Sequence, residues 1–456
     1  MASPELLAIW KREYLEKRAK LRSGRKHLSA DALHALIQAR LEQFPDGRQD
    51  KSTFSLSDAL MSAFAMFSLK DPSLLAFDAR RNDKNMKRLY GIGQVPSDTQ
   101  MRTMIDPVDP LALRSVFNDV FRQLQRGKAL EPFVFHEGAY LLCLDGTGYF
   151  SSTKIHCSSC LKKVHATGET TYAHQMLGAA IVHPDKKEVI PLAPEPIVNQ
   201  DGNTKNDCER NASCRLLRRI RHEHPHLPLI IVEDGLASNA PHIRELQRLG
   251  MHFILGAKPG DHEFLYEHLL NAFDDDRVTT LTWKNGDTTC EIAFVNGLPL
   301  NQANPDLLVN VLQYFEYGPD GEPTKKFTWV TDLTITPSNA QHLVRGGRAR
   351  WKIENETFNT LKNQGYHFEH NYGHGKQNLS VVFAMLMMLA FLVNQVEQLC
   401  CSLFRAVFKK FRTKRALWEN LRSHYWHFTF TSMSHLYQVM LYDLAKELPA
   451  PSVNTS

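Results

Sequence analysis

Apolar side chains return every three or four positions along Leu56-Ser-Asp-Ala-Leu-Met-Ser-Ala-Phe-Ala-Met-Phe67. That period predicts helix, and the chain reads as helical up to about residue 135. Pro96-Ser-Asp98 is a turn followed by a capping signal, where a further helix starts. From Ala139 the pattern changes to short apolar runs: 139–144, 174–182 and 188–192 read as strands, and the polar connection His183-Pro-Asp-Lys186 suggests antiparallel hairpins. An arginine-rich helix over 207–222, an apolar strand ending at Asp234, a helix over 240–249 and a strand over 252–256 follow. Residues 261–333 then carry β-type segments (279–283, 290–294 and 327–331) before a helical stretch over 348–362. The apolar run 381–393 is well short of the roughly 20 residues that span a bilayer, so it predicts a core helix and no membrane association.

At 456 residues the chain exceeds the roughly 100–200 residues usual for one domain, which favours two or three units over a small binding module. Its 43% hydrophobic and 23% charged residues describe an ordinary globular protein, and a net charge of +5 says little alone. The distribution says more: residues 1–40 hold nine Lys or Arg against four acids, and residues 401–425 hold seven against one. Such clusters suit a polyphosphate partner, and a solvated helix face explains either of them equally well. The charged N-terminus does not read as a signal peptide, and eight irregularly spaced cysteines suit a reducing compartment; the expected location is the cytoplasm.

Three acids stand at the ends of these elements. Asp145 closes the run 139–144, Asp234 closes Leu227-Pro-Leu-Ile-Ile-Val-Glu-Asp234, and Glu354 sits in the helical stretch 348–362. A carboxylate just past a buried strand is held rigidly at a sheet edge, where a carboxylate from a helix can meet it. Such a set can hold two divalent cations between oxygen ligands, the apparatus for cutting and joining phosphodiesters. A single Asp is usually a helix cap or a surface charge, but three in this order on these elements argue against that reading. Glu356 is the rival third acid.

Three strands, a helix, a strand, a helix and a strand is the order of the ribonuclease H-like fold. With Leu144-Asp-Gly-Thr-Gly148, Val232-Glu-Asp-Gly-Leu236 and Arg350-Trp-Lys-Ile-Glu-Asn355, about residues 141–378 resemble a DDE transposase of a bacterial insertion sequence, of the insertion-sequence-four-like group. Lys205-Asn-Asp-Cys-Glu-Arg-Asn-Ala212 and Gly365-Tyr-His-Phe-Glu-His-Asn371 resemble segments of the same proteins.

The resemblance implies an α/β protein: a ribonuclease H-like mixed-sheet core with a β-rich insertion, flanked by helical N- and C-terminal regions. Its expected parts are a helical region for DNA binding or assembly (1–135), the first part of the core (136–260), the insertion (261–333), the second part of the core with the acidic helix (334–395) and a basic helical tail (396–456). It implies metal-dependent DNA cleavage and strand transfer, with Asp145, Asp234 and Glu354 as catalytic acids holding Mg²⁺ or Mn²⁺, and Arg350 and Lys362 as DNA contacts. The implied partners are double-stranded DNA, as terminal repeats and target, and further copies of the chain on that DNA. A related nuclease or resolvase, and a domesticated DNA-binding protein without cleavage activity, are the alternatives.

The group's helix signature places a Tyr three residues before the Arg and a Lys seven after the Glu. Here the Tyr position is Gly347, and Lys362 lies eight after Glu354, which overshoots the helical face by about 80°. Glu356 falls about 120° short of Lys362 and lacks the match to Arg350, so Glu354 ranks ahead. Arg350 is expected to contact phosphate or to ion-pair with Glu354, and Trp351 to be core. His156-Cys-Ser-Ser-Cys160 contains one Cys-x-x-Cys pair, with His165 and His174 downstream. A structural zinc site normally takes four ligands, usually from two such pairs, so free thiols in a hairpin are expected rather than zinc. Lys162, Lys163 and the arginines of 215–221 either line DNA or face solvent.

Overall fold

The computed structural model describes residues 25–48, 53–198 and 207–443; most of the first basic cluster, Lys205, Asn206 and the end of the tail lie outside them. Helices fill the N-terminal region as the periodicity predicts. Ser29, Ser55 and Ser97 each cap one, accepting a backbone N–H at the start of Ala30–Leu41, Leu56–Ser68 and Asp98–Ile105. At Ser97 the Gln100 side chain completes a capping box, so a helix does start after Pro96.

Twelve strands form one mixed sheet: β1 (Val134–His136), β2 (Ala139–Ser152), β3 (Leu161–Val164), β4 (Thr170–Val182), β5 (Ile190–Pro191), β6 (Glu195–Ile197), β7 (Leu229–Glu233), β8 (His252–Gly256), β9 (Thr279–Asn285), β10 (Thr288–Asn301), β11 (Asn304–Tyr317) and β12 (Pro323–Thr331). Its main path runs β3-β4-β2-β7-β8-β12-β11-β10-β9. β2, β7 and β8 pair in parallel, and all five residues of β7 are buried, which is why it reads as one continuous apolar run. β4 flanks β2 antiparallel on the other side. This mixed sheet with helices before and after it is the α/β architecture expected of a ribonuclease H-like core.

Three features depart from the pattern reading. β2 continues past Asp145, which reads as closing the run, to Ser152, because Gly146 and Gly148 stay paired with β4. The insertion strands extend the same sheet, β12 pairing antiparallel with β8 through Trp329–Gly256 and Thr331–Ile254. β11 is a strand the pattern reading did not mark: Asn301 and Asn304 pair directly across a two-residue hairpin that has no glycine.

The helix Leu379–Cys400 is long and apolar enough to cross a membrane, but it is buried within the protein almost throughout. It shares one hydrophobic core with the N-terminal helices: Phe383 meets Phe67 edge-on at 5.8 Å, and Asn394 accepts from the buried Lys70 Nζ at 2.7 Å. The basic tail is partly turned inward as well. Lys410 reaches Asp443 and the carbonyls of Met440 and Leu441, and Arg422 donates to the carbonyls of Leu69 and Lys70.

Candidate active site

Cys143 and Val232 are in register across the parallel β2–β7 pair. Asp145 and Asp234 each lie two residues further on, so the period-two alternation of strands brings both acids to the same level on one face. Asp145 Oδ1 accepts from Gly146 N at 3.1 Å, and Asp234 opens a 3-10 turn by accepting from Leu236 N at 3.0 Å. Asp234 is thus also a cap, one of the ordinary fates of an Asp, while standing in the cavity described next.

Glu354 lies on a π turn over Ile353–Phe358, between the helix Ala340–Arg348 and the short helix Asn359–Asn363. The turn sits on Gly178, the residue paired with Asp145: a Cβ there would lie 2.8 Å from Phe358 Cζ and 3.7 Å from Ile353 Cδ1. Any side chain at 178 would press on the Phe358 ring and so on the turn. At the position where the related signature has Tyr, Gly347 leaves its space to Trp329, whose ring a Cβ would meet at 2.5 Å.

One cavity of about 570 Å³ is lined by Asp145, Asp234, Glu354, Arg350, Asn359 and Lys362, among others. Burial pushes the Asp145 carboxyl up to about 6; Arg350 opposes the shift, and the negative charges of Glu209 and Glu354 add to it. Arg350 Nη1 stands 3.4 Å from Asp145 Oδ2, so the acid it pairs with is Asp145 and not Glu354, which stood beside phosphate as one of its two expected partners. Its guanidinium also lies 4.5 Å from the Trp351 ring, and Trp351 is 46% exposed, not core. Lys362 pairs with Glu369 at 2.8 Å. Glu356 lies outside this lining; its charge acts on Lys414, whose ammonium burial destabilises and Glu356 favours.

Two further acids stand beside the trio. Glu209, on the helix Glu209–Glu223, covers Gly146 so closely that a Cβ there would be 2.1 Å from its Oε1. Burial and then the nearby Asp234 and Glu233 raise its carboxyl. It lines an adjoining cavity with Asp145 and Asp234, and was visible in the sequence only as part of 205–212. Glu233 is engaged elsewhere, with Ser213 Oγ at 3.1 Å and His242 Nε2 at 2.6 Å. Burial opposes the imidazolium of His242, but Glu233 prevails and pushes it up to about 10.

The cations offered as a DNA-lining series are mostly engaged within the fold. Arg215 binds Glu195 and Asp207, Arg218 binds Glu245, Arg219 binds Glu195, and Arg221 donates to the carbonyls of Leu249 and Leu227. Lys162 and Lys163 are exposed on β3. His165 bonds Thr171 Oγ1 instead of joining Cys157 and Cys160, whereas His174 does join them, together with His374, which no nearby motif marks.

Residues 162–393 match the family described as the transposase DDE domain. The matched span holds Asp234, Arg350, Glu354 and Lys362; Asp145 lies before it. A search of curated proteins finds no match to the chain.

Proposed function

The chain belongs to the family of transposases with a DDE domain, and from that membership we propose that it binds the terminal repeats of a mobile DNA element, cleaves its ends and transfers them to target DNA. In this reading Asp145, Asp234 and Glu354 are the acids that hold Mg²⁺ or Mn²⁺. The observation that carries it is the convergence of three carboxylates from two strands and a distant helical turn on one cavity beside Arg350 and Lys362.

The residues fit divalent cations. The donor set is all oxygen, as hard cations require, and burial, with the negative charges of Glu209 and Glu354 adding to it, disfavours the Asp145 carboxylate in a way that bound cations would relieve. Cations held there supply activation of the incoming oxygen and stabilisation of the leaving one in an in-line displacement at phosphorus. The protein's part is placement. The β2–β7 ladder fixes Asp145 and Asp234, the packing of Ile353 and Phe358 on Gly178 fixes Glu354, and Arg350 sets a positive charge beside Asp145. Lys362 stands at the same cavity, suited to a DNA phosphate as a point charge. Water is the first nucleophile and the freed 3′-hydroxyl the second, in a cytoplasmic assembly of several copies on DNA.

Incubation of the purified protein and Mg²⁺ with a duplex ending in the element's terminal repeat tests the reading. The expected products are new 3′-hydroxyl ends at the repeat boundary that join to a second duplex. Cleavage without joining would favour the nuclease reading, and binding without cleavage the domesticated one.

A further inference from the structure

Away from the acids, four side chains turn their metal-binding atoms toward a common centre. Cys157 and Cys160 flank a turn that leads into β3, His174 belongs to β4, and His374 comes from the segment that precedes the helix Leu379–Cys400. The two Sγ atoms are 3.8 Å apart. His174 Nε2 lies 3.3 Å from Cys157 Sγ and 3.5 Å from Cys160 Sγ, and His374 Nε2 lies 3.3 Å from Cys160 Sγ. All four atoms fall within 4.8 Å of one another, and all four residues are buried.

A zinc ion bound tetrahedrally at about 2.3 Å from sulfur and about 2.0–2.1 Å from nitrogen sets S···S edges of about 3.8 Å and S···N edges of about 3.6 Å. The observed separations are close to those edges. A disulfide would bring the sulfurs to about 2.05 Å, far nearer than they stand. Neither histidine has a hydrogen-bond partner on its Nδ1, so the polar contacts of both rings face the sulfur pair.

We propose that Cys157, Cys160, His174 and His374 form a structural zinc site. The ligand count that argued against zinc in the sequence is met by one Cys-x-x-Cys pair and two histidines, one of them 214 residues from Cys160.

The site would staple the β3–β4 end of the sheet to the chain that runs from the Glu354 turn into the core helix. Weaker ties follow the same path, Ser158 and Ser159 donating to the carbonyls of Lys376 and Gln377, while Asp106 of the N-terminal helices holds the same segment by accepting from the backbone of Lys376 through Leu379. Four filled tetrahedral positions leave no room for a substrate, so the role is positional.

Elemental analysis of the full chain, purified without chelator and dialysed, is expected to find about one zinc per protein, as a closed four-ligand site requires. Cobalt exchanged into the site should show the visible bands of a tetrahedral ion and an ultraviolet thiolate charge-transfer band. Cys160→Ser and His374→Ala should lose the metal, while His374→Cys and the remote Cys290→Ser should keep it. If the first two variants fail to fold, the wild type still decides: a mercurial thiol reagent should release the zinc, read with a metallochromic dye. Wild-type protein without zinc, or full zinc retention by Cys160→Ser, would overturn the proposal.

Discussion

Glu354 and Lys362 line one cavity although eight residues separate them, a spacing that would turn the lysine about 80° away in an uninterrupted α-helix. The π turn over Ile353–Phe358 accounts for the difference, because i→i+5 bonding takes up one residue more than an α turn. Eight residues through a π turn do the work of seven. The departure from the related helix signature is therefore one of sequence spacing, not of the face presented.

The acid trio leads to the first prediction. Asp145→Asn, Asp234→Asn and Glu354→Gln should each lower Mg²⁺-dependent end cleavage by roughly 10²–10³-fold or more, the scale of losing one preorganised electrostatic group. Terminal-repeat binding should survive, since affinity for DNA comes mainly from cations. Gel assays of cleavage and band shift on the same preparations check both halves; full cleavage by any one variant would remove that residue from the set.

Glu356 provides the control for Glu354. Outside the cavity lining, with its charge acting on Lys414, it should tolerate Gln with substantial activity retained. The reverse outcome would make Glu356 the ligand.

Lys362→Ala should weaken binding to terminal-repeat and scrambled duplexes alike. The slope of log affinity against log salt should become shallower by about one, as expected for a single lost phosphate contact. An unchanged slope would leave Lys362 as the partner of Glu369 only.

The Asp145 carboxyl makes stability and metal binding depend on pH. Its pKa is raised from 3.8 to about 6, so its stabilising contribution is complete below the lower value and lost as pH rises through the upper one. In chelator, Asp145→Asn should therefore gain thermal stability relative to wild type between about pH 4 and pH 7. Mg²⁺ should raise the wild-type Tm more at about pH 7 than at about pH 5, because a protonated carboxyl does not ligate. Equal metal effects at both values would contradict this.

The shared core gives a prediction about truncation. A chain beginning at residue 136 would uncover the helix Leu379–Cys400 where Phe67 and Lys70 pack, so it should lose cooperative thermal unfolding, not merely DNA binding. A sharp melt from such a chain would show that the packing between these regions is dispensable.

The parts of this protein legible in its sequence are those set by local periodicity. The apolar run of β7, the Ser97 capping box and the order of core elements could be read directly; Asp145 reads as closing its run but lies within β2, and Glu354 reads as helical but lies on the π turn. What could not be read depends on residues far apart in the chain. The π turn breaks the 3.6-residue assumption, Glu209 meets the trio only because its helix crosses Gly146, and His374 joins the cysteines from 214 residues away. Trp351 reads as core by residue type, but its place on the surface follows from its neighbour Arg350 turning in to Asp145.

Gly178 has an evolutionary consequence. Every amino-acid replacement of glycine adds at least one carbon, and here that carbon would fall 2.8 Å from Phe358, on the turn that carries Glu354. The position has no conservative neighbour in codon space: the first missense change at 178 already presses on the turn, while silent changes accumulate without effect. Among drifting copies of the gene, those with a larger residue at 178 are expected to have lowered mobility, even with all three acids intact.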